Sequence, residues 1–97
     1  MITSIGLLSF TEKGIQGVKD TTKRAAAAKE TAKKLGVNMR DIFWTTGDYD
    51  IVCVLEAEDE QALAAFNLNV ALQGNVRSRS LRAYTATEMD KILAKVA

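Results

Sequence analysis

The chain has no histidine. Its absence removes the commonest general base near neutral pH and the commonest protein ligand for zinc, haem and non-haem iron, and with them many enzyme classes. There is no proline either, so turns rest on glycine, asparagine and aspartate. The single cysteine, Cys53, cannot close an internal disulfide, and its setting within Ile51-Val52-Cys53-Val54-Leu55 points to a buried, protonated thiol that packs rather than reacts. No apolar run approaches the ~20 residues of a bilayer span, and the N-terminus lacks the charged-then-apolar order of a secretion signal. A cytoplasmic protein without a membrane partner is therefore expected. Net charge is also scarce: thirteen basic residues against twelve acidic ones leave +1. Such a surface sets up no broad field to attract nucleic acid or anionic lipid, so a nucleic-acid partner is not expected.

What is present fits one soluble globular domain. The chain has 97 residues, 47% apolar and 26% charged, with no linker, repeat or low-complexity tract apart from a run of alanines. Residues 2–10 read as a first strand that Gly6 weakens. A loop holding Gly14, Gly17, Lys19 and Asp20 leads into a helix that starts between Ile15 and Thr22. The helix body from Arg24 to Leu35 is built of strong helix formers, and Gly36 stands where a left-handed residue ends it. Glu30 and Lys34 are spaced for an ion pair on its wet face.

Residues 38–46 and 49–56 are two strand-like runs separated by Gly47-Asp48, which suits a two-residue type II′ hairpin. Asp59 caps a second helix on which Leu63, Phe66 and Val70 recur, and Gly74-Asn75 closes it. A fourth strand runs from Val76 to about Thr85. Thr87 to Asp90 fits a capping box opening a short last helix, where Met89, Ile92, Leu93 and Val96 form an apolar stripe.

This order predicts an α+β, ferredoxin-like βαββαβ domain with a short C-terminal helix, strands one and three central and both long helices on one face. A sheet covered on one side only should alternate apolar with polar residues, yet the third strand does not. Ile51, Cys53 and Leu55 point one way while Val52 and Val54 point the other. About four to six aliphatic or aromatic side chains would then face water, each forgoing roughly 1.5–3 kcal/mol of burial. A second copy of the sheet is the simplest cover, which predicts a homodimer packed as a dimeric α+β barrel, alone or within a larger oligomer built from such dimers.

The stretch containing Gly47, Tyr49 and Asp50 resembles the Gly-x-Tyr-Asp signature of the GYD-domain family. The similarity takes in Gly14, Lys19, Arg24, Gly74 and the strand beginning at Val76, and so covers nearly the whole chain. Family members often carry a proline just before the arginine, where this chain has Thr22-Lys23. The resemblance implies a ferredoxin-like dimeric α+β barrel and no established activity. The hairpin is also similar to the ligand-sensing domain of feast/famine transcriptional regulators, which binds small metabolites between subunits, although no DNA-binding segment is present.

Several residues are candidates for a site. Gly47 is explained by a turn needing positive φ. Tyr49 and Asp50 serve either the strand and turn or a ligand. Lys19 and Arg24 lie at a helix start, where a cation opposes the helix dipole. Either an anionic ligand resolves that conflict, or a salt bridge to Asp48, Asp50 or Glu12 does. Phe43 and Trp44 occupy opposite strand faces, so at least one should line the core or a pocket between sheet and helices. Arg77, Arg79 and Arg82 cluster near the fourth strand, the first two on one face. Gly14-x-x-Gly17 is too short for a phosphate loop, so nucleotide hydrolysis is set aside.

Three functions follow. The first is a homodimeric module that binds a small anionic metabolite without a cofactor, through Lys19, Arg24, Trp44, Asp48, Tyr49 and Asp50 beside the hairpin. The second is a cofactor-free enzyme, a monooxygenase or isomerase, in which Asp48, Tyr49, Asp50 or Glu56 acts as acid or base. The third and weakest is RNA binding, for which strands one and three offer only Phe10 and Tyr49.

Overall fold

A computed structural model describes all of residues 1–97. The strands are β1 (Ile2–Phe10), β2 (Val37–Trp44), β3 (Ile51–Ala57) and β4 (Val76–Ala83), and the helices are α1 (Glu12–Gln16), α2 (Thr21–Lys34), α3 (Glu60–Gln73) and α4 (Ala86–Leu93). They form one antiparallel sheet in the order β2-β3-β1-β4. The central strands are the two expected, and the architecture is ferredoxin-like. No helix is long and apolar enough to cross a membrane.

Local chemistry sets most boundaries. The Asp59 carboxylate accepts from the Gln61 amide at the start of α3, and Gly74, at φ 75°, ends that helix in the left-handed region that favours glycine. Strand β3 alternates buried and half-buried residues along its length, because Ile51, Cys53, Leu55 and Ala57 face the helices while Val52, Val54 and Glu56 face away. The core sits under the first group. Ala32 of α2, Leu63 and Phe66 of α3, and Val37 and Met39 of β2 close over Cys53, Leu55 and Ala57. Burial pushes the Cys53 thiol up, against a smaller downward pull from the Gly6 backbone, so it stays protonated.

Some expectations need correction. The strands of the β2–β3 hairpin end early, leaving six residues, Thr45 to Asp50, where a two-residue II′ turn was expected. Asp50 is the cause. Its amide donates to Leu8 O and its carboxylate accepts from the Phe10 amide at 2.8 Å, so it belongs to the end of β1 rather than to the hairpin ladder. Thr45 closes the loop instead, donating from its amide to Asp50 O and from its hydroxyl to Tyr49 O. Gly47 does take positive φ, at 117°.

The last helix is capped two residues earlier than expected. Thr85 and Glu88 form the capping box, each side chain bonded to the other's amide, in preference to Thr87 and Asp90. The longer glutamate side chain reaches back where aspartate does not, and the Thr85 amide holds the Glu88 carboxyl below its usual range. Glu30 and Lys34 make no ion pair; on α2 the ion pair is Lys23 with Asp20, both exposed. Helix α4 buries none of its residues.

Candidate functional site

A cleft between the sheet and helices α2 and α3 is lined at one end by Phe10, Ile51 and Val76. The sheet-facing residues of α2 at that end are Ala25 and Ala28, and the strand beneath contributes Gly6. None of these has the bulk to fill the gap. The cleft, of about 110 Å³, is walled by Leu8, Ile42, Ile51, Phe66 and Val70 among others. A water needs only ~10–15 Å³ of such space, so the cleft takes several waters or a small organic molecule. A second hollow of about 200 Å³ lies between α2 and α3, sharing Arg24, Ala28, Phe66, Val70, Gln73 and Asn75 with the first.

The mouth is held by a strap formed by α1 and the turn after it. The Thr11 hydroxyl accepts from the Gly14 amide and donates to Gly74 O at 2.6 Å, and the Thr11 amide donates to Asn75 O. Lys13 Nζ reaches Gln73 O at 2.8 Å. Gly14 lies so close to Asn75 that a Cβ there would collide with the Asn75 carbonyl, which explains a glycine inside a helix without positive φ. Arg24 completes the strap, donating to Gly17 O at 2.6 Å and Gly14 O at 3.2 Å.

Arg24 is the one residue of the expected site that lines the cleft. It meets no carboxylate: the four ion pairs involve other residues, and the anticipated bridge to Asp48, Asp50 or Glu12 is not formed. Two of its N–H groups hold the strap, and the others have no hydrogen-bond acceptor within the protein. Trp44 is one contact away. Its indole N–H donates at 3.0 Å to the hydroxyl of Thr21, itself a lining residue, while the ring stays 40% exposed. Neither Trp44 nor Phe43 lines the core or the cleft, contrary to expectation: Phe43 shares the open face with Val52, and Trp44 ends an edge strand and turns its indole to Thr21.

Lys19 lies in the 3-10 turn before α2, without an ion pair. Asp48 and Tyr49 stand on the hairpin loop, and Asp50 is tied to β1. The structure therefore brings Arg24 and Trp44 toward the cleft and leaves Lys19, Asp48, Tyr49 and Asp50 outside its lining. Thr21, Gln73 and Asn75, which supply the polar rim, escaped the sequence reading. Only the position of Asn75 directly after the helix-ending Gly74 hinted at it.

The opposite face of the sheet has no helix. Strand register brings Ile5 and Leu7 of β1, Phe43 of β2, Val52 and Val54 of β3 and Leu81 of β4 together on it. Phe43 is 60% exposed and Leu81 51%. This is the apolar face that the pattern of β3 predicts.

The sequence profile of the GYD domain matches residues 5–93. A curated protein of Thermus thermophilus, the glutamine synthetase and cystathionine beta-lyase binding protein, is 30% identical over 90 residues, covering 92% of this chain and 95% of that protein. A crystal structure of a Thermus thermophilus protein superposes with a TM-score of 0.57 at 24% identity, covering 89% of this chain and 96% of the other. That likeness is one of fold.

Proposed function

This chain belongs to the GYD domain family, and from that premise we propose that it is a homodimeric binding module, paired through its open sheet face into a dimeric α+β barrel. Each subunit takes a small ligand with an apolar body and an anionic head into the cleft between sheet and helices. The observation that carries this proposal is Arg24, a cation without a carboxylate partner at the mouth of a largely apolar cavity with a polar rim. An apolar pocket with a few convergent polar groups is the usual form of a small-molecule site, and a guanidinium favours a carboxylate or phosphate.

The lining also favours binding over acid–base catalysis. It contains no aspartate, glutamate, tyrosine or lysine, and its one thiol, Cys53, is held protonated. Of the residues considered for catalysis, Glu56 lies on the opposite face of the sheet and Asp50 is bonded to β1. Lys19 and the hairpin loop remain available to a ligand larger than the cleft. A cytoplasmic location accords with this role.

Calorimetric titration with butyrate, hexanoate and benzoate tests the proposal. Saturable binding is expected, weakened about tenfold or more in Arg24→Met and abolished in Ala28→Leu, which fills the cavity without touching the strap. No binding by any of the three acids, or equal binding by both variants, refutes it. A second reading is docking onto a larger enzyme. It draws on the name of the Thermus relative and on Leu68 and Leu72, one helical turn apart on α3 and 66% and 82% exposed. Sedimentation of the chain with purified glutamine synthetase, with and without Leu72→Lys, decides it: co-sedimentation lost in the variant supports docking, and no co-sedimentation refutes it.

A further inference from the structure

The charges at the two margins of the open sheet face select how two copies face one another, given the sheet-to-sheet pairing proposed above. Strand register sets Phe43, Val52, Leu7 and Arg79 in one row across the four strands, and Asp41, Val54, Ile5 and Leu81 in the next. The β4 margin carries Arg77 and Arg79, neither in an ion pair. Toward the β2 margin lie the carboxylates of Asp41 and Glu56, against one cation, Arg40. One margin is therefore basic and the other has an excess of acid.

Two kinds of two-fold axis stack such faces. With the axis across the strands, β4 lies over the partner's β4, and the arginines of both copies meet over a gap of ~10 Å. Like charges brought together while water is expelled oppose that arrangement. With the axis along the strands, between β1 and β3, β4 lies over the partner's β2. Rows are then preserved, so Arg79 rests above the partner's Phe43, one row from the partner's Asp41. A row is two residues, about 6.8 Å along a strand, which an arginine side chain spans. Arg40 occupies only Oδ2 of Asp41 and leaves Oδ1 open.

We propose that Arg79 pairs with the carboxylate of the partner's Asp41, lying over the ring of the partner's Phe43, on both sides of a two-fold axis that runs along the strands. An arginine over an aromatic face adds a cation–π contact to the ion pair. The partner this surface fits is thus a second copy in one orientation.

Sedimentation velocity on Arg79→Glu, on Asp41→Arg and on their equimolar mixture tests the orientation, with the unaltered chain run first. Each variant alone sets like charges together at both contacts, and its dimer is expected to dissociate about 30-fold more readily or worse. In the mixture both contacts are again opposite in sign, and a heterodimer of near-native affinity is expected. An unaltered chain that sediments as a monomer overturns the sheet pairing itself. A dimeric unaltered chain whose variants dimerise equally well, or whose mixture is not rescued, overturns the orientation and leaves the pairing standing. Should a charge reversal unfold the chain, cross-linking with a short bis-maleimide decides instead, since thiols on sheets ~10 Å apart are too distant for a direct disulfide. Arg79→Cys mixed with Phe43→Cys is expected to give a cross-linked heterodimer, whereas self-linking by Arg79→Cys alone points to the other axis and refutes the proposal.

Discussion

Val54 lies at the middle of the open face, between Ile5 on β1 and Asp41 on β2. Within one subunit it is half-buried and touches none of the core beneath the helices. Val54→Lys should therefore leave the subunit folded, with the new ammonium beside Asp41. Across a pair of sheets the same residue is covered. Losing the burial of one valine costs roughly 1.5–3 kcal/mol, and a two-fold dimer loses two, about 3–6 kcal/mol in all. At about 1.4 kcal/mol per tenfold, the dimer dissociation constant should rise by about two to four orders of magnitude, before any cost of desolvating the charges. Sedimentation velocity from micromolar to millimolar concentration measures the shift, and circular dichroism checks that the subunit stays folded. A folded variant that dimerises as tightly as the unaltered chain refutes the claim that this face is the interface.

Gly14→Ala should destabilise the chain by about 2 kcal/mol or more, because the added carbon meets the Asn75 backbone carbonyl and must force the strap off the α3–β4 turn; a drop in thermal midpoint measures it, and an unchanged midpoint contradicts the close approach. Asp50→Ala should cost about 1–3 kcal/mol by leaving the half-buried Phe10 amide without its acceptor, whereas Asp50→Asn, whose carbonyl oxygen still accepts, should cost much less in urea unfolding. Equal losses in the two variants would show that charge rather than the hydrogen bond matters there. Cys53 should react with a disulfide reagent at pH 8 only as fast as the chain unfolds. Because its folded pKa lies above the ordinary value of 9.0, its contribution to stability is complete below about pH 9 and fades as pH rises from there through the folded value. Cys53→Ala should remove that alkaline component, and rapid native labelling at pH 8 would contradict its burial.

Features that rest on neighbours in sequence were legible before the structure. Asp59 and Gly74 bracket α3 by their own capping chemistry, and the continuous apolar run of β3 announced a sheet with two faces to cover. Features that rest on distant partners were not. Gly14 read only as one glycine of a loop, but its reason is the Asn75 carbonyl, and the hairpin opened because Asp50 bonds to the Phe10 amide forty residues away. Thr85 and Thr87 each begin a plausible capping box, and only the reach of Glu88 separates them. The cleft lies over small residues of β1 and α2, Gly6, Ala25 and Ala28, which no local pattern marks as a cavity. Arg24 was found because a cation at a helix start is anomalous by itself, whereas Thr21, Gln73 and Asn75 are unremarkable until the fold gathers them.

The pairing of two open sheet faces is the premise on which the barrel and its orientation depend, and sedimentation equilibrium of the unaltered chain tests it most directly. A mass near twice the subunit's 10.6 kDa, or an even multiple of it, is predicted at micromolar concentration, falling toward the subunit value in Val54→Lys. A single species of 10.6 kDa that persists to millimolar concentration would contradict the account.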